Sequence, residues 1–234
     1  LKIDDGKALK FEVVGTRNRA KEVEGQLCQS LEKLRINYAD LYLIHMPTSF
    51  DVIIWMRQRF HFLRGMEDVF KKGLTKAIGV SNFSIKQIER VKSQLLRKII
   101  MFRNRTVIFH EYSIWTSFFK FCVILGECHL YLPQFALHEV CKNHDISLTS
   151  SASFESPGRV DYEVPNREYL IERDIAVIPK SVKEHGVKEN FEIFDFELTE
   201  SEVKGCKNVK HCQHLFLFDY MTNHPEDPFK DERK

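Results

Sequence analysis

The 234-residue chain is 43% hydrophobic, enough to bury a substantial core, and its length suits one domain better than a set of small modules. With 35 Lys and Arg against 33 Asp and Glu, the formal charge of +2 excludes nucleic acid or an anionic membrane as the main partner, so any anion site must be local. Cys28, Cys122, Cys128, Cys141, Cys206 and Cys212 follow no paired framework and no leader is recognisable ahead of them, so reduced thiols in the cytoplasm are expected.

In chain order, Asp5-Gly6 divides LKIDDGKALKFEVVGT into two short segments, a hairpin signal. Val23, Leu27, Leu31 and Leu34 then recur at helical spacing. In YADLYLIHMP the unbroken apolar run Leu41 to Ile44 predicts a short parallel strand covered on both faces, and Pro47 forbids its simple continuation. His45 stands at its carboxyl end, where barrels and open α/β folds gather their chemistry. The pattern repeats. Leu63, Met66 and Phe70 share a helical face that Gly73 can terminate, and KAIGV (Lys76 to Val80) reads as a strand ending in the polar pair Ser81 and Asn82. Ser84 and Gln87 form a capping box ahead of Ile85, Ile88, Val91 and Leu95.

The stretch 94–125 is dense in aromatics and isoleucine, but Arg103, Arg105, Glu111 and Lys120 interrupt every apolar run of the ~18 residues that a membrane span requires. A helix over Leu137, Val140 and Cys141, a strand over Ile146 to Thr149 and a strand over Ile175 to Ile178 follow. Lys180 and Ser181 occupy the tip of that last strand, and Ser181 with Glu184 can cap a helix carrying Val187, Phe191 and Phe194, an arrangement suited to an anion. The cluster Cys206, His211, Cys212 and His214 has the spacing of no zinc finger or ribbon, so no metal is expected.

SLEKLRINYADLYLIHMP followed by MEDVFKKGLTKAIGVSNF resembles the aldo-keto reductase superfamily, and GECHLYLPQ and IPKSVKEHGVKENFEIFDFELTESE are similar to later signatures of the same family. The resemblance implies a (β/α)8 TIM barrel, here incomplete by about two strands and two or three helices, with an atypical insertion at 94–125 and a C-terminal loop at 211–234. It implies NADPH as cofactor, hydride transfer to an aldehyde or ketone, and a single cytoplasmic, monomeric domain whose partner is a small-molecule carbonyl substrate. His45 corresponds to the histidine that orients and polarises the carbonyl; Ser81 and Asn82 hold the nicotinamide amide; Lys180 and Ser181 lie at the 2'-phosphate, and Glu189 and Asn190 near the adenine.

Several positions depart from the family pattern. The region that carries the catalytic aspartate, tyrosine and lysine is replaced by Arg17 to Ala20, which makes turnover by this chain doubtful. Met46 stands for a tryptophan, Leu125-Gly126 for a polar pair, Ser151 for the tyrosine that stacks on the nicotinamide, and Gly186 for an arginine. An inactive cofactor-binding or regulatory remnant, and the product of a faulty gene model, are the alternative readings.

Overall fold

The computed structural model describes residues 10–13, 20–48, 61–93, 121–151, 166–179, 181–190, 192, 197–207 and 214–233. The N-terminal turn at Asp5-Gly6, the junction at 17–19 and most of the 94–125 stretch lie outside the described residues. The chain divides into two compact units, 1–123 with 221–234, and 124–220. Among the described residues there are six strands, two fewer than a closed (β/α)8 barrel needs, and the pairings within each unit are parallel. The architecture is α/β, of incomplete barrel type.

In the first unit β1 (Lys10–Val13), β2 (Leu41–Ile44) and β3 (Ile78–Ser81) lie side by side, with Val13 opposite Ile44 and Ile44 opposite Val80. Helix α1 (Ala20–Leu34) buries Val23, Leu27 and Leu31, while Leu34, expected on the same face, is 45% exposed at the helix end. Helix α2 (His61–Lys71) buries Leu63, Met66 and Val69, each burial being worth roughly 1.5–3 kcal/mol. Gly73 closes it as the spacing predicts: at φ 71 its N–H donates to Phe70 O at 2.9 Å and the Leu74 N–H to Val69 O at 3.0 Å. Helix α3 (85–93) begins with half of the expected capping box, since Gln87 Oε1 accepts from both the N–H and the hydroxyl of Ser84, at 2.9 and 3.1 Å.

The same Gln87 also donates from Nε2 to Glu226 O at 3.1 Å, and Arg90 grips the Glu226 carboxylate with both terminal nitrogens, at 3.0 and 2.6 Å. This two-pronged pair is half shielded, so it outranks the exposed pairs of the surface. Replacing Arg90 with alanine is expected to lower stability by about 1 kcal/mol, read as a shifted urea midpoint at constant slope.

Strand β4 (Phe121–Glu127) begins in the first unit and enters the second at Ile124; there it leads to α4 (Phe135–Asn143) and β5 (Ser147–Ser151), and after α5 (Asn166–Glu172) comes β6 (Ala176–Val177), paired to β5. The stretch 94–125 enters the described residues at position 121. Phe121 to Leu125 belong to β4, and Val123, Ile124 and Leu125 are all buried. An apolar run with no alternation suits a strand covered on both faces, the same reasoning that identified Leu41 to Ile44. Short helices α6 (Glu184–Glu189) and α7 (Glu200–Lys207) complete the unit. Burial pushes the thiol of Cys128 up to about 12 and that of Cys141 up to about 11, and Cys28, Cys128, Cys141 and Cys206 are all free.

Candidate functional site

The parallel register that sets Ile44 beside Val80 also sets the two strand tips together. Asn82, just past β3, takes up left-handed backbone at φ 59, a conformation asparagine tolerates better than most residues. From there its amide nitrogen donates to His45 O at 3.0 Å and to Ser81 Oγ at 3.1 Å. One side-chain amide thus ties the ends of two strands, with Ser81 buried at 1% exposure and His45 half-buried. The three residues singled out at these tips form one constellation. The donors of Asn82 are spent within the protein, which leaves its carbonyl oxygen to face an N–H of something else.

Two tyrosines of this unit behave differently. Tyr42 packs in β2 as expected, its hydroxyl donating to Val23 O at 3.2 Å and its pKa raised by burial. Tyr38 does not pack in the strand. It precedes β2 and is 37% exposed, with the Lys76 ammonium donating to its hydroxyl at 3.0 Å and to Asp40 at 2.9 Å. A phenol paired with a cation does exist, but at the amino ends of β2 and β3, the opposite end from His45. The hydroxyl of Tyr38 and the carboxylate of Asp40 hold the Lys76 pKa above its ordinary value. Tyr38 and Lys76 each stand just ahead of adjacent parallel strands, and that register is the signal that finds this trio.

In the second unit Lys180 lies outside the described residues. Ser181 does not cap α6. The N-cap is Lys183 with no side-chain bond, while Ser181 Oγ accepts from the Lys183 N–H and donates to Lys183 O, both at 3.1 Å, in a local turn. The correction follows from range: that turn occupies the hydroxyl of Ser181, three residues before the helix begins. Exposed Glu184 sits in the first turn, where its charge opposes an anion, and α6 buries no residue, Val187 being 47% exposed. Glu189 is exposed on α6 and half-buried Asn190 is its C-cap. A side chain at position 186 would have to displace the Ser181 hydroxyl, since a Cβ there would lie 2.5 Å from Ser181 Oγ.

A group that sequence reasoning missed is Glu127, at the carboxyl end of β4 and 5% exposed. Its Oε1 accepts from His129 Nε2 at 2.9 Å and from the Leu215 N–H; its Oε2 accepts from His214 Nδ1 and from the Phe216 N–H, both at 3.1 Å. Burial raises the carboxyl pKa, but these bonds outweigh it and hold the group down to about 2. Both imidazoles donate, which places the His129 proton on Nε2 and leaves its Nδ1 buried with no partner. The signal in sequence is Glu127 and His129 two apart at a strand end, on one face of the chain. Among the described residues no three His, Cys, Asp or Glu side chains could hold a metal; His211 and Cys212 lie outside them.

The sequence profile of the Aldo/keto reductase family matches residues 8–163, two thirds of the chain. Among curated relatives, prostaglandin F synthase 2 of Bos taurus is 28% identical over 248 residues, covering 90% of this chain and 71% of the relative. Aldo-keto reductase family 1 member D1 of Mus musculus is 29% identical, covering 99% and 78%. The solved aldose reductase of Schistosoma japonicum superposes with a TM-score of 0.74 at 24% identity over 95% of this chain and 75% of that one. A silkworm (Bombyx mori) aldo-keto reductase gives 0.72 at 25%, over 94% and 68%. The chain belongs to the aldo/keto reductase family.

Proposed function

We propose that the chain is an NADPH-dependent oxidoreductase that reduces a small aldehyde or ketone to the alcohol, working as a cytoplasmic monomer with one barrel domain. The observation that carries this reading is the tie at the tips of β2 and β3. Asn82, with both its donor bonds spent on His45 O and Ser81 Oγ, offers a carbonyl oxygen suited to the N–H of a carboxamide, so the residues fit the nicotinamide end of the dinucleotide. When bound, NADPH supplies the hydride. Ser81 and Asn82 hold its amide, and His45 orients and polarises the substrate carbonyl. The adenosine end fits less well. Glu189 and Asn190 are placed along α6, but Gly186 supplies no cation for a 2'-phosphate. Among the described residues no helix is long and apolar enough to cross a membrane.

A second reading, binding without turnover, is favoured by the position of Tyr38. The phenol that a neighbouring cation could activate, Tyr38, stands just ahead of β2, whereas His45 stands just past its end.

Titration of the purified full chain with NADPH and with NADH, followed by nucleotide fluorescence, tests both readings. NADPH is expected to bind, Asn82→Ala to weaken it by about tenfold, and NADH to bind within about tenfold of NADPH because position 186 is bare. Failure of NADPH to bind overturns the proposal. Steady-state reduction of an aromatic aldehyde then separates the two readings, since turnover no faster than that of His45→Ala leaves only the second.

A further inference from the structure

Among the described residues three buried side-chain polar atoms have no hydrogen-bond partner: His129 Nδ1, the Tyr169 hydroxyl and Arg173 Nη1. The last two belong together. Tyr169 and Arg173 stand four apart at the end of α5, so their side chains share one face, and Arg173 Cζ lies 5.3 Å from the centroid of the Tyr169 ring. A second ring, that of Phe135 at the start of α4, has its centroid 4.7 Å from the same carbon. Nη2 of the guanidinium donates to Pro133 O at 2.7 Å and reaches His138 Nδ1 at 3.5 Å. The backbone beneath is pinned as well, with the Arg173 N–H donating to Leu170 O at 3.1 Å and the Asp174 N–H to Ile171 O at 2.8 Å. These contacts hold the arginine still and leave its other terminal nitrogen unused. No carboxylate of the described residues pairs with it.

The chemistry of this pair of atoms is one-sided. A guanidinium nitrogen only donates, and the phenolic proton can turn toward the same point. Burial raises the Tyr169 pKa while the Arg173 charge pulls it back, so the two groups feel each other although no bond of good geometry joins them, and the phenol keeps its proton at neutral pH. Two buried donors and a shielded positive charge without a counter-ion disfavour the folded state until a negatively charged acceptor joins them. A water could accept from both, but it leaves the charge unopposed and brings two further donors. Size is set by closure: Nη1 and the hydroxyl are both shut off from solvent, which suits a monatomic ion and not a phosphate. Phe135, 51% exposed, is the part of the wall that can turn aside to admit one.

We propose that Tyr169 and Arg173 form a halide site in the second unit: a chloride ion accepts from the Tyr169 hydroxyl and from Arg173 Nη1, opposes the guanidinium charge, and steadies the bond by which Arg173 joins the end of α5 to the start of α4. All of its parts lie within 124–220 and none takes part in the proposed reductase chemistry, so the test needs no NADPH.

Crystals of the full chain soaked in sodium bromide test the site directly. An anomalous bromide peak within hydrogen-bond reach of both Tyr169 Oη and Arg173 Nη1 is expected; a water without anomalous signal, or an empty position, overturns it. In solution, chloride replacing methanesulfonate at constant ionic strength is expected to raise the wild-type Tm by about 3 °C, with saturation in the millimolar range. Tyr169→Phe keeps the ring against the guanidinium and removes one donor, so about tenfold more chloride is expected for half the effect. Arg173→Met is expected to show no response to chloride, and if it does not fold the phenylalanine variant and the crystal decide. A rise that never saturates, or one equal in wild type and Tyr169→Phe, marks general salt action and overturns the site. A bromide peak with no saturable rise marks an ion bound at crystal concentration only and overturns it as well.

Discussion

Gly79→Ala is expected to be among the most damaging single-methyl changes in this protein, costing about 3 kcal/mol. A Cβ at the middle residue of β3 would run into the carbonyl oxygen of Val123 and come within 2.6 Å of Leu43 Cδ2. The leucine can turn aside. The carbonyl belongs to β4 and cannot, so the methyl is accommodated only by parting strands, which breaks their hydrogen bonds as well as their packing. Gly25→Ala is the matched control: it lies exposed in α1 with nothing within 4 Å of an added Cβ, and the change is expected to stabilise by roughly 0.5–1 kcal/mol. Thermal melting reads both, as a fall of roughly 10 °C in one and a small rise in the other. Equal midpoints for the two variants would refute the close approach of backbones at Gly79.

Acid should undo the second unit through Glu127. Its carboxyl is held down to about 2 in the folded chain against 4.5 in the open one, so the native state binds fewer protons than the unfolded state between those values. The stabilisation is complete above about pH 5 and declines as the pH falls through 4.5 toward 2, a loss of about 3 kcal/mol from this group by pH 2. Denaturant midpoints measured from pH 6 to pH 2.5 should slope accordingly in the wild type, and the excess slope should vanish in Glu127→Gln, which has nothing to protonate. Parallel profiles for the two proteins would sink the assignment.

The elements that could be read in the sequence are those whose signal is local. Leu41 to Ile44, the Gly73 stop and the Ser84 to Gln87 box were all legible because spacing and turn chemistry act over a few residues. Val123 to Leu125 carried no readable strand signal, because a buried strand and an apolar insertion look alike when neither alternates. Ser181 was expected to serve a helix that starts too late for it. At the candidate site, family pattern located His45, Ser81 and Asn82, but the amide bond joining them depends on strand register, which no window along the chain displays. Glu127 escaped notice for the same reason, since its partners lie far along the chain.

That distance has a consequence for how the molecule is made. Glu127 leaves the ribosome 87 residues before His214 and 89 before Phe216. Through that interval of translation the carboxylate must stay hydrated at the end of a strand, and closing so long a loop carries an entropic cost that only later contacts repay. The knot at Glu127 is thus among the last to be tied, which makes a nascent chain stalled before residue 214 the form most in need of a chaperone.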